Sequence, residues 1–269
     1  MFSTVSIFWP YASHTHGAPN EADKTVTEAA AYDPYKYGLI ELCGEASELE
    51  ELRKLAPACN CELRPGPDGD LWLGSDKFDD AMPEQAREQA TEILITLNGL
   101  ARMENYRHRN VVVGDEFLKK NRQLHHFGEG QSRRRGSRAQ YFGPPGVAPF
   151  GPIVETNETR RWKRIVADPK LGEIVRAFAD EMSWQKLRVA FERINALVGR
   201  GDNALVGEGY AQQSELTRFK ANVEDPRHSG DDAVHGVHRG PLRASKMTKK
   251  EGFEFVIRLF NDYLQKNPA

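Results

Sequence analysis

Arg227 and His228 are adjacent in a polar segment of the C-terminal half, and Asn222 precedes Arg227 by five residues. Arginine stays charged and can stabilise the anion that develops on a reacting phosphate, while histidine titrates near neutral pH and can transfer protons. These residues could therefore form a site for metal-independent RNA cleavage, with Asn222 as a positioning group. The alternative is structural, because cations near the C-terminal end of a helix commonly bond its last carbonyl groups.

A second candidate is a tract rich in arginine, which is followed by the aromatic pair Tyr141 and Phe142. Guanidinium groups pair with phosphates through two parallel hydrogen bonds, and neighbouring aromatic rings can stack on unpaired bases. The tract predicts a nucleic-acid-binding segment, and a solvated loop tip is the equal alternative. Its members are Arg133, Arg134, Arg135 and Arg138.

Acidic and histidine side chains also lie close together in a long irregular stretch, residues 225–246. Carboxylates and imidazoles bind metal ions, but this stretch lacks a tighter frame such as a His-Glu-x-x-His helix. We therefore expect no metal and no other cofactor. The residues in question are Asp231, Asp232, His235 and His238.

Composition narrows the class of protein. With 269 residues, of which 39% are hydrophobic and 28% charged, the chain can form a packed core, and its apolar runs are too short for a transmembrane helix. The first residues lack the basic and apolar regions of a signal peptide, and three cysteines favour a reducing compartment over a disulfide scaffold. We expect a cytoplasmic protein without a membrane partner.

The motifs of several enzyme classes do not occur in the sequence. It contains no glycine-rich nucleotide loop and no Gly-x-Ser-x-Gly motif, which argues against a nucleotide-hydrolysing engine and a serine hydrolase. The net charge of −2 conceals an acidic segment, residues 21–92, and a basic one, residues 119–138. A local anion-binding surface is therefore compatible with the nearly neutral chain.

Proline and glycine are densest in residues 143–152, which predicts a linker because proline removes backbone donors and restricts its neighbours. The periodicity changes across this segment. The first part mixes strand and helix patterns, and the second is helical. The sequence thus predicts an α+β protein, with a mixed domain over 1–142, a linker over 143–152 and an all-helical domain over 153–269.

The N-terminal pattern predicts a sheet with two helices. A Ser47/Glu50 capping box is expected to open the first helix, and Pro83 the second, which runs to about Met103. Strands are predicted at 37–42, 111–117 and 123–127, with a hairpin at 61–73.

The C-terminal pattern predicts four helices, each with a polar cap at its start. The expected first residues or caps are Asp168 before Pro169, Ser183, Ser214, and a Thr248/Glu251 capping box.

The C-terminal half contains the run 214–222, then Arg227 and His228, and then the run 247–251, which opens a last helix. In these segments it resembles helical proteins of the HEPN superfamily. The resemblance covers about residues 160–265. It implies a helical fold of a kind found in bacteria and in defence systems. Many members are metal-independent ribonucleases that use an arginine and a histidine separated by four to six residues, and others without that pair are binding or assembly modules.

The spacing of arginine and histidine in this chain differs from the HEPN pattern in its C-terminal half. Arg227 directly precedes His228, and seven residues separate it from His235. Arg102 and His108 have five residues between them, but they belong to the other half of the chain.

Three functions are therefore open. The chain could cleave RNA with Arg227 and a nearby histidine, or bind RNA as a regulatory subunit through the arginine tract. It could also be a non-catalytic scaffold that forms a homo-oligomer, or binds a protein partner, through its apolar helices.

Overall fold

The computed structural model describes residues 37–65, 70–127, 156–199, 201–229 and 245–267. This part of the chain has the predicted α+β class, with an antiparallel sheet in the N-terminal half and helices in the C-terminal half. None of the helices in the described ranges is long and apolar enough to cross a membrane.

The strands are β1 (Gly38–Cys43), β2 (Glu62–Pro65), β3 (Leu71–Ser75), β4 (Val112–Leu118) and β5 (Leu124–His126). They form one sheet in the order β2-β3-β1-β4-β5, and every neighbouring pair is antiparallel. The predicted hairpin is confirmed by the pairing of β2 with β3, while its turn, 66–69, lies outside the described residues.

The two faces of the sheet differ because successive side chains of a strand point to opposite sides. Ile40, Leu73 and Phe117 share one face and belong to the main core. On the opposite face, a smaller cluster is formed by Leu39, Trp72 and Leu118.

Helices α1 (Ala46–Leu55) and α2 (Pro83–Glu104) contact each other, and α2 also contacts β4. Helix α2 begins at Pro83 as predicted, because proline suits a first turn in which its missing N–H is not needed. The Ser47 capping box is wrong. Helix α1 already begins at Ala46, so the Ser47 hydroxyl lies inside the first turn and bonds the Glu48 carboxylate at 2.9 Å.

The second half contains α3 (Asn157–Ala167), α4 (Pro169–Ala177), α5 (Trp184–Val198), α6 (Asp202–Gly207), α7 (Gln213–Glu224), α8 (Pro226–Ser229) and α9 (Lys249–Lys266). Three predicted caps are confirmed. Asp168 accepts from the first amides of α4, Ser183 accepts from Lys186 N, and Thr248 with Glu251 forms a capping box on α9.

The described parts of the two predicted domains share one hydrophobic core and belong to one compact unit. The two halves approach closely at Gly99 of α2, where an added Cβ atom would lie 2.3 Å from the carbonyl oxygen of Val175 in α4. Glycine therefore lets the two backbones meet. The predicted linker, 143–152, lies outside the described residues, and a domain boundary there stays a prediction.

Candidate functional site

A loop of seven residues, 105–111, connects the end of α2 to β4 and is fixed by side chains from α1 and α2. Asn98 of α2 is its main clamp. The Asn98 amide donates to the carbonyl oxygen of Val111 at 2.8 Å, and its Oδ1 atom accepts from the Val111 N–H at 3.0 Å. These two bonds satisfy both backbone groups of a buried residue, so the end of the loop has a defined position.

Arg102 lies one helical turn after Asn98 and holds the middle of the same loop. Its Nη2 atom donates to the carbonyl oxygen of His108 at 2.7 Å and to Oδ1 of Asn110 at 2.8 Å. Arg102 is only 5% exposed, and its Nη1 atom is buried without a hydrogen-bond partner among the described residues. A buried cation with an unused donor is uncommon in proteins and calls for an explanation.

His108 is held between α1 and α2. Its Nδ1 atom lies 2.7 Å from Oε2 of Glu51, and its Nε2 atom lies 3.2 Å from Oδ1 of Asn98. The second oxygen of Glu51 accepts from the Asn105 side-chain amide at 2.9 Å. Both ring nitrogens thus contact acceptor atoms, and the side chain of His108 is 0% exposed.

Burial shifts the pKa values of His108 and Arg102. It lowers the pKa of His108 below the ordinary value of 6.5, and the nearby Glu51 carboxylate offsets this only in part. Burial also lowers the pKa of Arg102, while Asp180 and Glu181 act in the opposite direction.

The clamped loop forms one side of a cavity of about 520 Å³. The other side comes from the C-terminal half, so the cavity lies between the sheet-bearing and helical parts of the compact unit. Four of its wall residues are cations and one is an acid, apart from His108. The wall consists of Arg102, Tyr106, Arg107, His108, Arg109, Asn110, Glu181, Met182 and Lys249.

Asn222, a predicted catalytic residue, lies on α7 and is fully buried. Its amide donates to the carbonyl oxygens of Arg218 at 2.8 Å and Ser245 at 3.0 Å, and its Oδ1 atom accepts from Met247 N at 2.7 Å. Asn222 thus connects α7 to the segment that leads into α9. This geometry suits a residue that holds the chain.

Arg227 and His228, the other predicted catalytic residues, lie on the short helix α8. Arg227 pairs with the buried Asp225 carboxylate through Nε–Oδ1 at 2.9 Å and Nη2–Oδ2 at 2.5 Å. Asp225 is the residue that directly follows the last turn of α7. His228 is partly buried, and its Nε2 atom has no hydrogen-bond partner in the described ranges.

The remaining predicted site residues are not described. The arginine tract, Arg133 to Arg138, and the segment with Asp231, Asp232, His235 and His238 both lie outside the described ranges. Within those ranges, no group of three or more His, Cys, Asp or Glu side chains could hold a metal ion. Cys43, Cys59 and Cys61 form no disulfide bond, and burial raises the pKa of Cys59 to about 12.

The sequence contains one signal for the cavity, which is the separation of Arg102 and His108 by five residues. The pair lies in the N-terminal half, which the HEPN resemblance does not cover. The structure brings Arg102 into contact with the backbone of His108 and completes the cavity with Glu181, Met182 and Lys249 of the helical half.

In comparisons with known proteins, no family model, no curated protein and no solved structure matches the chain. The case for a function therefore depends on the geometry of the chain itself.

Proposed function

We propose that this protein binds RNA, in the cytoplasm, by taking a phosphate of the RNA backbone into the cavity lined by Arg102, Arg107, Arg109 and Lys249. The observation that carries the proposal is Arg102. It is a nearly fully buried cation in the cavity wall, held on one side by the loop and lacking an acceptor at Nη1 among the described residues. An anion in the cavity would supply that acceptor, and hydrogen bonds between charged groups are the strong ones.

The surroundings of Arg102 favour a polyanion over a single small anion. Arg107, Arg109 and Lys249 are exposed, so they can contact further phosphates while the buried arginine holds one. Tyr106 is partly exposed in the same wall, and its ring is supported edge-on by Phe253 at a centroid distance of 5.0 Å. A supported aromatic ring beside cations is a platform on which a base can stack.

His108 supports binding rather than cleavage. A general acid or base must reach the proton that it transfers, and His108 is fully buried with both ring nitrogens in contact with Glu51 and Asn98. Its contacts hold the loop that carries Arg107 and Arg109. We therefore propose an RNA-binding protein and not a ribonuclease that uses this histidine.

The scaffold alternative is less well supported. It needs apolar helical faces that are free to meet a partner. Helices α5 and α9 instead contact each other within the chain, and Leu187, Phe191, Leu259 and Phe260 are buried. The RNA contacts predicted for the arginine tract and a role in defence, which the resemblance to HEPN proteins implies, stay predictions.

The proposal is tested by the affinity for a fluorescent single-stranded RNA of mixed sequence, measured by anisotropy from about 50 to 200 mM salt. The wild-type affinity should fall steeply with salt because binding releases counterions. The double variant R107A/K249A should bind about tenfold more weakly, and its slope of log affinity against log salt should decrease by about 1.4, which corresponds to two lost phosphate contacts.

A charge-matched control is R87A/R193A, since both arginines are exposed or partly exposed and neither lies in the cavity wall. It should retain the wild-type affinity and slope. Wild-type protein without salt-dependent RNA affinity, or a control that weakens binding as much as R107A/K249A, would contradict the proposal. The same RNA, incubated with and without EDTA and examined on a gel, should stay intact.

A further inference from the structure

Two more cavities lie along α9, on the same side as the first. The middle one measures about 550 Å³ and lies between the end of α2 and the first turns of α9. The far one measures about 660 Å³ and lies between α3 and the last turns of α9. Each is large enough to receive a small organic group.

Neighbouring cavities share wall residues. Tyr106 and Arg107 line both the first and the middle cavity, and Asn261 lines both the middle and the far one. On α9 the wall residues Phe253, Ile257 and Asn261 are spaced by four, which places them in one stripe of the helix. The cavities therefore form a groove along α9, whose 18 residues measure about 27 Å.

Cations exceed acids along this groove, by nine side chains to four. The far end has Arg160 and Arg164 one helical turn apart on α3, with Arg161 beside Arg160. Arg161 donates to Oδ1 of Asn261 at 2.7 Å, which orients it along the groove wall. The acids are Asp168, Glu104, Glu254 and Glu181, and the other cations are Arg102, Arg107, Arg109, Lys249, Lys250 and Arg258.

Some of these cations already have carboxylate partners. Arg258 pairs with Glu215 at 2.5 Å, and Arg109 lies 3.6 Å from Glu45. Arg107 and Arg160, near opposite ends of the groove, form no ion pair among the described residues. The positive charge that is free to meet a ligand is thus distributed over the length of the groove.

We propose that the groove binds single-stranded RNA, which lies along α9 with its phosphates on the cations of all three cavities. This inference rests on the proposed function and extends it from one phosphate to a strand. Cavities spaced along the groove can receive unpaired bases. In a duplex the bases are stacked inside the helix and cannot enter them. At about 3.4 Å per stacked nucleotide, 27 Å corresponds to roughly eight nucleotides.

The test measures affinity against length, with single-stranded RNAs of about 4, 8 and 12 nucleotides and a 12-base-pair RNA duplex. For wild-type protein the affinity should increase up to about eight nucleotides and then level off. The variant R160A/R164A, altered only at the far end, should bind the 8- and 12-nucleotide strands about tenfold more weakly and lose most of the gain with length. R87A/R193A is again the charge-matched control, and thermal melting confirms that each variant is folded.

The outcomes separate this inference from the proposed function. R107A/K249A could weaken RNA binding while R160A/R164A leaves it unchanged at every length. That result would support phosphate binding in the first cavity and contradict RNA binding along the groove. A duplex that binds as tightly as the single strand would overturn the preference for unpaired RNA. Polyglutamate that competes as well as RNA would indicate an acidic protein partner and also overturn it. If wild-type protein binds no RNA, both the proposed function and the groove proposal are wrong.

Discussion

Two regions of this protein bring an arginine and a histidine close together in the sequence, but the structure uses them differently. At the clamped loop, the buried Arg102 of α2 bonds the carbonyl oxygen of His108, and both residues line a cavity. On α8, Arg227 bonds Asp225, while the Nε2 atom of His228 has no hydrogen-bond partner in the part of the chain that the structure describes.

The difference follows from what surrounds each pair. The loop 105–111 is held against α1 and α2 by Glu51, Asn98 and Arg102, which belong to helices that are themselves packed in the core. Helix α8 has only four residues, and its arginine finds its acceptor two positions away. An arginine and a histidine form a site when elements distant in the sequence hold both side chains in position. Adjacency in the sequence does not hold them in this way.

The largest expected effect is at the clamp of the first region. Asn98→Ala would leave the buried N–H and C=O groups of Val111 without partners, and each unsatisfied group costs about 1–3 kcal/mol. We expect the free energy of unfolding to decrease by about 3 kcal/mol in a urea titration. Asn98→Asp keeps the accepting oxygen but places a second carboxylate oxygen against the Val111 carbonyl oxygen, so it should also destabilise the protein. Wild-type stability in either variant would contradict this account of the clamp.

A smaller effect is expected from pH. Because the pKa of His108 is lower in the folded protein than in the unfolded chain, the unfolded chain binds the proton first as the pH falls. The contribution of His108 to stability is therefore complete above about pH 6.5 and is lost as the pH decreases through the folded-state pKa.

This contribution is measured by comparing urea titrations at about pH 7.5 and pH 5 for wild type and His108→Gln. The variant is expected to be less stable at neutral pH but to lose less stability on acidification. An identical loss in both proteins would assign the acid sensitivity to other groups.

The smallest effect on RNA binding is expected in the second region. Arg227 is exposed but its partner Asp225 is buried, so the variant R227A/H228A removes a cation from a buried carboxylate and should melt at a lower temperature. Its RNA affinity should stay within about twofold of wild type, because neither residue lies in the cavity wall. A loss of RNA binding or of RNA cleavage with an unchanged melt would reverse the comparison and place the site on α8.

The sequence predicted much of the fold because its signals were local. Pro83, Asp168 and Thr248 act on the first turn of their own helices, and the structure confirms all three. Helix α3 was missed, since its apolar residues are few and its arginines resemble a solvated segment. Those arginines form the far wall of the groove.

The cavity was beyond prediction for a different reason. Its walls combine residues 102–110 with Glu181, Met182 and Lys249, and these segments meet only when α2 packs on α4 and α9 has its start fixed by Asn222. Periodicity and motifs in the sequence do not predict which distant segments will contact each other. Spacing alone could propose Arg102 and His108 as a pair, but it could not show that the ring would be buried.

The contact between Gly99 and Val175 limits how sequences with this fold can vary. Any side chain at position 99 would collide with a backbone carbonyl, which cannot rotate away, so the packing of α2 on α4 requires glycine. The cations of the groove carry no such restriction, because several of them are exposed and a neighbour can replace a lost charge. Related chains should therefore keep this glycine strictly, while the arginines and lysines of the groove exchange with one another and shift in position.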